Sequence, residues 1–260
     1  MKTFDFTIEE LSMNAWPALQ TIFYDGWIIR LANAYGNRAN SINVIYPSKI
    51  ELEEKINYCE NIFSKHNLLP GFKLVGSACF KTCAEHRTLD ERLKKRNYRI
   101  IQETSLQTCK ITEPGKTNCE GIIVKNNFDS KWVDSVIKYN CIEGKDTATF
   151  RKMLKNIMVE KIVVSKKIGD EIIGCGYGAI ERDYVGVFDI VVKEEFRGKG
   201  YGREIVETIL IEAAKRGVKN SYLQVLVNNN AAQHLYGKMG YREIYRYWYR
   251  KKGNGEGAAV

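Results

Sequence analysis

The stretch that decides the fold is residues 185–217, which read VGVFDIVV, then KEEFRGKGYG, then REIVETILIEAAKRG. The first segment is an apolar run typical of a strand. The last carries Ile205, Ile209 and Ala213 at every fourth position, as a helix does. Between them, residues 196–202 place three glycines and two cations in a turn. A strand, a glycine-rich turn and the unpaired N–H groups of a helix start together form a site for an anion such as phosphate.

The same seven residues also fit a helix entry that needs tight turns and binds nothing. Two named phosphate loops are excluded, because GKGYG lacks the Walker spacing with its Lys-Ser/Thr pair and does not match GxGxxG. The loop alone therefore leaves a binding role and a structural role open.

A second motif follows one helix later and changes that balance. Residues 223–241 read LQVLVNNNAAQHLYGKMGY. RGKGYG is similar to the Arg/Gln-x-x-Gly-x-Gly/Ala loop of the GNAT superfamily of acetyl-CoA-dependent N-acetyltransferases, which holds the coenzyme A pyrophosphate. The downstream stretch resembles that family's next segment, a strand followed by Asn-x-Ala-Ala-x-x-Leu-Tyr and Gly-Tyr/Phe. The resemblance covers roughly residues 120–250 and implies an acyltransferase that uses acetyl-CoA.

The resemblance implies roles for individual positions. Main-chain groups of Ile190, Val191 and Val192 would pair with the pantetheine arm like an added strand. Asn229 matches the family's cofactor-contacting Asn, and Tyr236 matches the tyrosine that protonates the departing thiolate. The amides expected to hold the pyrophosphate are those of Arg197, Gly198, Lys199, Gly200, Tyr201, Gly202 and Arg203.

The chemistry requires such groups independently of the family. Acyl transfer from a thioester to an amine needs a neutral amine, a donor for the tetrahedral oxyanion and a proton for the thiolate. A strand N–H such as that of Val191 can polarise the thioester carbonyl. Tyr236 follows Asn229 by seven residues, about two helical turns along one face, so both can reach the same ligand. A core aromatic is the alternative role for Tyr236.

The general base is the point where the sequence departs from the family. Many members carry Glu where this chain has Gln224, which cannot accept a proton. Asp189, Glu181 or a water chain could take that role, or the acceptor could arrive with a pKa low enough to need no base. For Asp189, the sequence favours a capped or ion-paired structural residue.

Composition narrows the class of protein. The chain has 260 residues, of which 44% are hydrophobic, and no long apolar run or signal-peptide pattern. We therefore expect a folded cytoplasmic protein without membrane contact. Seven cysteines, an odd number, fit a reducing compartment, and CFKTCAEH (79–86) has the wrong spacing for common zinc sites, so no metal is expected.

Turn-forming residues predict two domains. The stretch TEPGKTNCEG (112–121) has little apolar content, which places a boundary between a first domain at 1–112 and a second at 118–252. The predicted fold class is α/β (α+β), with a mixed, mostly antiparallel sheet flanked by helices in each half. The second half reads as two helices, a three-strand meander, the helix 203–216, a strand, a helix and a last strand.

The first half reads as an alternating α/β unit that lacks the phosphate loop. Residues 12–24 predict a helix capped by Asn14, GNRA joins two strands, and Ser48 is available to cap a second helix. Its last helix and strand look like a worn copy of HLYGKMGYREIYRYWYRK. We therefore expect a tandem protein whose first repeat lost its cofactor loop and contributes the acceptor side.

Four polar residues of this half have two open interpretations. The segment 16–47 resembles the leading part of two-part bacterial GNAT proteins, which suggests an acceptor pocket. The alternative is the exposed surface of a hairpin. The residues are Arg30, Arg38, Asn40 and Asn43.

Net charge and the last strand raise rival functions. The formal charge is +9, from 40 basic and 31 acidic residues, which suits any anionic partner. YREIYRYWYRKK interleaves aromatics with cations, as nucleic-acid surfaces do. Strand alternation explains it more simply, with Ile244 and alternate aromatics facing a core. Arg242, Arg246 and Arg250 would face outward, so no nucleic-acid partner is expected.

The second rival is an inactive fold that only senses acetyl-CoA, which the presence of Tyr236 disfavours. The acceptor amine, whether a small molecule or a peptide, and the oligomeric state are left open.

Overall fold

The computed structural model describes residues 6–76, 84–111 and 120–252. In chain order its helices and strands are α1 (Thr7–Ala15), β1 (Gln20–Tyr24), β2 (Trp27–Leu31), β3 (Ser41–Val44), α2 (Leu52–Lys65), β4 (Gly71–Gly76), α3 (Ala84–Lys95), β5 (Arg99–Lys110), β6 (Ile122–Lys125), α4 (Ser130–Tyr139), α5 (Lys145–Lys155), β7 (Glu160–Ile168), β8 (Glu171–Glu181), β9 (Tyr184–Val192), α6 (Tyr201–Lys215), β10 (Asn220–Leu226), α7 (Asn230–Lys238) and β11 (Arg242–Lys251). Among the described residues, no helix is both long and apolar enough to span a membrane.

The chain divides into two compact units. Unit 1 comprises the residues up to Leu106, Leu226–Asn228 and the residues from Glu243 onward. Unit 2 comprises Gln107–Val225 and Asn229–Arg242. The predicted boundary at 112–121 falls mostly outside the described residues. The segments 1–112 and 118–252 remain a proposal about domains, and the units differ from those segments in that β11 belongs to unit 1.

Unit 1 is a mixed sheet with the strand order β1-β2-β3-β4-β11-β5. Strands β1, β2 and β3 pair antiparallel, β3 and β4 pair parallel, and β11 pairs antiparallel with β4. One sheet face packs against α2 and α3 through a cluster that includes Trp27, Phe63, Phe72, Leu89 and Leu93. The carboxyl-terminal strand thus completes the sheet of the amino-terminal part of the chain.

Two local predictions for unit 1 are wrong. The helix predicted over residues 12–24 ends at Ala15, because Pro17 disfavours helical backbone at Trp16, and β1 follows. Asn14 consequently lies inside α1 instead of capping a helix. Ser48 does not cap α2 either, since its hydroxyl donates to the Glu85 carboxylate at 2.5 Å.

The alternation predicted for the last strand is right for Arg242 and Arg246 and wrong for Arg250. Tyr245, Tyr247 and Tyr249 are buried, so the interleaved aromatics of β11 pack into unit 1 and present no open stacking surface. Arg250, predicted to face outward, is also buried. Its guanidinium donates to both oxygens of Asp90 at 2.8 Å, and this ion pair compensates the burial of its charge.

Unit 2 is a mostly antiparallel sheet with the order β5-β10-β9-β8-β7-β6, beginning with the last residues of β5. The predicted meander β7-β8-β9 is present, and β9 pairs parallel with β10. Strand β6, which was not predicted, pairs antiparallel with β7 at the edge. It is short and largely exposed, so it has no buried face to produce a sequence pattern.

Glycines on one face of β8 bring α6 close to the sheet. A Cβ added at Gly174, Gly176 or Gly178 would lie 2.6–2.9 Å from the Ile205 or Ile209 side chain of α6. Real Cβ atoms do not approach that closely, so only glycine allows this packing. The helix predicted at 203–216 is thereby held across β7, β8 and β9, with its amino terminus at the end of β9.

Candidate active site

Strands β9 and β10 stop pairing part-way along their length. Their parallel register runs from Asn220 opposite Tyr184 to Leu223 opposite Val187, whereas β9 continues to Val192. The two strands therefore separate beyond Val187. This leaves one edge of β9 open to pair with another extended chain.

A bulge in β9 begins where the strands separate. Asp189 and Ile190 together oppose the single residue Gly176 of β8. Asp189 has a φ of +49°, in the left-handed region that non-glycine residues rarely adopt. Such bulges bend a strand and redirect its side chains, and they occur often beside active sites.

The ladder alternation fixes which main-chain groups point to the open edge. Lys193 N donates to Ile173 O of β8 at 2.9 Å. Because alternate residues of an antiparallel strand point the same way, Val191 also faces β8, opposite Cys175. Ile190 and Val192 point to the open edge. The Val191 N–H, expected from the sequence to meet the thioester, lies on the β8 side.

The glycine loop joins this strand end to α6. Gly198 and Gly200 have φ values of +76° and +89°, and a Cβ at either position would have no atom within 4 Å. Both glycines therefore allow the left-handed backbone of the turn, and the space beside them is open. Gly200 occupies the N-cap position of α6, and no side chain caps that helix. The N–H groups of its first turn remain available for an anion.

The cations of the loop have separate contacts. The exposed Arg197 donates through Nε to Val192 O at 3.0 Å, which ties the loop to the end of β9. Arg203 is bound to Glu207 at 2.7 Å. Lys199 Nζ lies 5.1 Å from the ring centroid of Phe196. The loop thus keeps positive charge around its amides, of which the Arg197 N–H already donates to Glu194 O at 3.1 Å.

Helix α7 carries the remaining predicted residues. The side-chain oxygen of Asn229 accepts from Ala232 N at 3.1 Å, so Asn229 is the N-cap of α7. Tyr236 packs against Tyr241, with ring centroids 5.8 Å apart, in the same cluster as Val187 and Val225. Burial raises the pKa of Tyr236 to about 12, so its hydroxyl is protonated at neutral pH.

Residues 139–241, which contain this strand, loop and helix pair, match the acetyltransferase (GNAT) family. The chain contains a GNAT acetyltransferase domain. The match covers the open edge of β9, the glycine loop, α6 and α7. This match supports an acyltransferase, as the two motifs predicted.

Relatives with N-acetyltransferase names support the same assignment. The chain is 25% identical over 258 residues to an uncharacterised N-acetyltransferase, YobR, of Bacillus subtilis, covering 94% of this chain and 97% of that protein. It is 36% identical over 61 residues to the [ribosomal protein bS18]-alanine N-acetyltransferase of Escherichia coli strain K12, covering 24% of this chain and 41% of that protein.

Two solved structures share the fold. A GCN5-related N-acetyltransferase from Kribbella flavida superposes with a TM-score of 0.67 at 11% identity, over 95% of each chain. A tandem GNAT protein from the clavulanic acid biosynthesis pathway gives a TM-score of 0.61 at 11% identity, over 83% of this chain and 76% of that one. The predicted α/β class with a mostly antiparallel sheet flanked by helices is confirmed.

The candidate bases of this GNAT domain lie at different distances from the bulge. Gln224 is half-buried on β10, directly after the last pair of the β9–β10 register. Asp189 is in the bulge itself, and its carboxylate adds to the burial that raises the pKa of the Cys175 thiol. Glu181 lies at the other end of β8, five residues or roughly 16 Å from Gly176. Its distance from the bulge disfavours Glu181.

The four polar residues proposed for an acceptor pocket are held within unit 1. Arg30 is buried and donates to Arg38 O at 2.6 Å and to Met13 O at 3.3 Å. Asn40 accepts from Ala32 N at 2.7 Å, and Asn43 is likewise buried. Arg30, Asn40 and Asn43 are buried and are therefore not hairpin surface, whereas the acceptor pocket stays a prediction. The side chains of Arg30, Asn40 and Asn43 bind main-chain groups, and Arg38 lies 5.3 Å from the ring centroid of Trp16.

The cysteine segment yields no metal site in the described part of the chain. Cys79 and Cys83 lie outside the described residues. His86 is buried, and its Nδ1 accepts from Val75 N at 3.2 Å. Within residues 6–76, 84–111 and 120–252, no group of three or more His, Cys, Asp or Glu could hold a metal ion.

Sequence reasoning missed the bulge and the glycine face of β8. The signal was present in GCGYG (174–178), where alternate glycines in a strand mark a close approach or a bulge. The motifs identified the loop, but only the strand register shows which edge of β9 is open beside it.

Proposed function

We propose that this chain transfers an acetyl group from acetyl-CoA to a primary amine by direct attack. One observation supports this most strongly. The open edge of β9, its bulge and the uncapped amides of α6 coincide at one end of one strand. An extended arm ending in phosphates fits such a strand edge that leads into an anion site.

The cofactor would be held mainly by main chain. Ile190 and Val192 pair with the pantetheine arm along the open edge, while Val191 keeps the strand attached to β8. The pyrophosphate lies on the amides that follow Gly198, up to Arg203. Asn229 approaches the cofactor from the start of α7. In this proposal the main-chain groups of Ile190 and Val192, and not that of Val191, bind the cofactor.

The reaction would proceed through a tetrahedral intermediate. The nitrogen of a neutral amine attacks the thioester carbonyl, a C–N bond forms, and the Ile190 N–H donates to the oxyanion. Collapse breaks the C–S bond, and Tyr236 gives its proton to the thiolate. The amine nitrogen loses one proton, either to Asp189 or to water, because Gln224 cannot accept it. Solvent returns a proton to Tyr236.

The acceptor is a small-molecule or peptide amine. The Escherichia coli relative named for ribosomal protein alanine aligns over only 24% of this chain, so its acceptor is one candidate among several. Peptides with amino-terminal alanine therefore belong in the test beside amino acids, polyamines, aminoglycosides and lysine peptides. Use of acetyl-CoA, together with unpaired Cys59 and Cys175, fits a cytoplasmic location.

The test is an amine panel incubated with acetyl-CoA, with detection of the released coenzyme A thiol and the mass of the product. At least one amine should gain 42 Da, and the Gly202→Asp variant should lose that activity. Acetyl-CoA binding without turnover on any amine would favour a sensing module. Salt-dependent retention on DNA without acetyl-CoA binding would favour a nucleic-acid module.

A further inference from the structure

We propose that Lys166 on β7 is a positioning residue that allows the glycine loop to accept a pyrophosphate. This inference rests on the proposed function. Lys166 lies outside both sequence motifs and 35 positions before Tyr201. It acts on the loop through Glu204, an acidic residue in the first turn of α6.

The contacts of Lys166 converge on the start of α6. Its side chain is 7% exposed, and Nζ lies 2.6 Å from Glu204 Oε2. The approach lacks hydrogen-bond geometry at that oxygen, so the contact is ionic. The same Nζ donates to Glu120 O at 2.7 Å and lies 5.0 Å from the ring centroid of Tyr201. One ammonium therefore binds a carboxylate, a carbonyl and an aromatic face.

The local fold fixes Lys166 in this place. The β7–β8 register shifts between Lys166 and Lys167. Lys167 N donates to Gly121 O at 2.8 Å, and Gly121, with a φ of +74°, lets the chain pass directly against Lys167. This turn supplies the Glu120 carbonyl. The backbone of Lys166 is thus fixed by strand β7, and its side chain is fixed by the Glu120 carbonyl before β6.

Electrostatics explain why the pair matters for an anion. Glu204 directly follows Gly202 and Arg203 in the first turn of α6, where the pyrophosphate is proposed to bind. A carboxylate there repels two phosphate charges, and a half-buried group is poorly screened by salt. Lys166 cancels that charge. Arg203 is already bound to Glu207 and cannot do so without breaking that pair.

A packing role for Lys166 makes different predictions from a charge role. If Lys166 only holds the turn, its loss should weaken every ligand of unit 2, and changing Glu204 should not help. If it neutralises Glu204, its loss should weaken only ligands that carry the pyrophosphate. Removal of both charges should then restore binding.

The experiment measures binding to the full chain by calorimetry or competition, with folding checked by circular dichroism. The variants are Lys166→Met, Glu204→Gln, their combination, and Lys167→Met as the matched control. Lys167 is the adjacent lysine, more exposed and 3.9 Å from Asp170. The ligands are acetyl-CoA and S-acetylpantetheine, which lacks the pyrophosphate.

We expect Lys166→Met to weaken acetyl-CoA at least tenfold and S-acetylpantetheine less than twofold. The double variant should return to within threefold of the unaltered chain, and Lys167→Met should change neither ligand by more than twofold. Equal losses for both ligands, no loss, or a double variant as weak as Lys166→Met would overturn the inference.

Two further outcomes distinguish a folding defect of Lys166→Met and a failure of the proposed function from a failure of this inference. If Lys166→Met does not fold, Glu204→Gln alone decides, since it should bind acetyl-CoA as tightly as the unaltered chain or more tightly. A fivefold loss there contradicts the charge role. Failure of the unaltered chain to bind acetyl-CoA would overturn the proposed function itself, and this inference with it.

Discussion

Tyr236 is the proposed proton donor, and burial keeps its hydroxyl protonated at neutral pH. Replacement by Phe removes only the hydroxyl, so packing against Tyr241 and affinity for acetyl-CoA should persist. Turnover should fall at least tenfold, because a positioned acid typically contributes about 10²- to 10⁴-fold. Steady-state rates with a saturating acceptor, together with calorimetry, measure the two effects. Wild-type turnover in Tyr236→Phe would make Tyr236 a packing residue.

The pH profile gives a second readout of the same residue. Because the pKa of Tyr236 is raised to about 12, its proton-donating form persists through pH 10. We expect no alkaline loss of turnover from this group below pH 10. A fall centred near pH 8 that disappears in Tyr236→Phe would keep Tyr236 as the donor but contradict its raised pKa.

The loop glycines test the anion site. Gly202→Asp adds negative charge. The backbone at Gly202 is not left-handed, and the new Cβ would have room, at 3.8 Å from the Val192 side chain. Gly200→Glu adds charge and also left-handed strain. Both should weaken acetyl-CoA binding at least tenfold, or about 1.4 kcal/mol.

Gly217, at the other end of α6, provides the control for the Gly200→Glu variant. Gly217 has a φ of +80° and open space around its Cβ, like Gly200. Gly217→Glu should therefore lower stability comparably and leave acetyl-CoA affinity unchanged. Unchanged affinity in both loop variants would place the pyrophosphate elsewhere.

At the scale of elements, the packing of α6 on β8 positions the loop. A methyl group at Gly176 would collide with Ile190 of the bulge and Ile205 of α6. Gly176→Ala should lower the free energy of unfolding by about 1–3 kcal/mol and weaken acetyl-CoA binding, because it displaces both the strand and the helix.

Gly237 in α7 is the matched control for that change. It has open space around its Cβ, so Gly237→Ala should be neutral or stabilising by up to about 1 kcal/mol. Thermal unfolding of the two variants measures the difference. Equal stability would show that the glycines of β8 do not set the spacing of α6.

At the scale of the whole molecule, unit 1 depends on the end of the chain. Strand β11 lies between β4 and β5 in the sheet of unit 1, and Arg250 is bound there to Asp90. A fragment of residues 1–112 lacks that strand. We expect the fragment not to unfold cooperatively in urea, whereas the full chain should. A cooperative transition for the fragment alone would support the boundary proposed from the sequence.

Coenzyme A stoichiometry tests the asymmetry of the two halves. The first half lacks an Arg-x-x-Gly-x-Gly loop, so we expect one coenzyme A per chain. Calorimetric titration of the full chain should give a molar ratio near one. A ratio of two would show that the first half kept a cofactor site.

The sequence by itself determined the parts whose conformation is local. Residues 185–217 predicted a strand, a glycine turn and a helix, and the match to the GNAT family covers them, because turn chemistry and helical periodicity depend on neighbouring residues. The same holds for α7, which Asn229 caps from within its own segment.

The tertiary structure decided everything that depends on pairing between distant segments. Alternation in β11 was visible, but its place in unit 1 follows from pairing with β4, so the burial of Arg250 was not predicted. The open edge of β9 likewise follows from where β10 stops pairing, which moved the expected donor from Val191 to Ile190. Lys166 acts on a loop far along the chain, and no local pattern could connect the two. A strand carries its own period, whereas its partner and register come only from the assembled sheet.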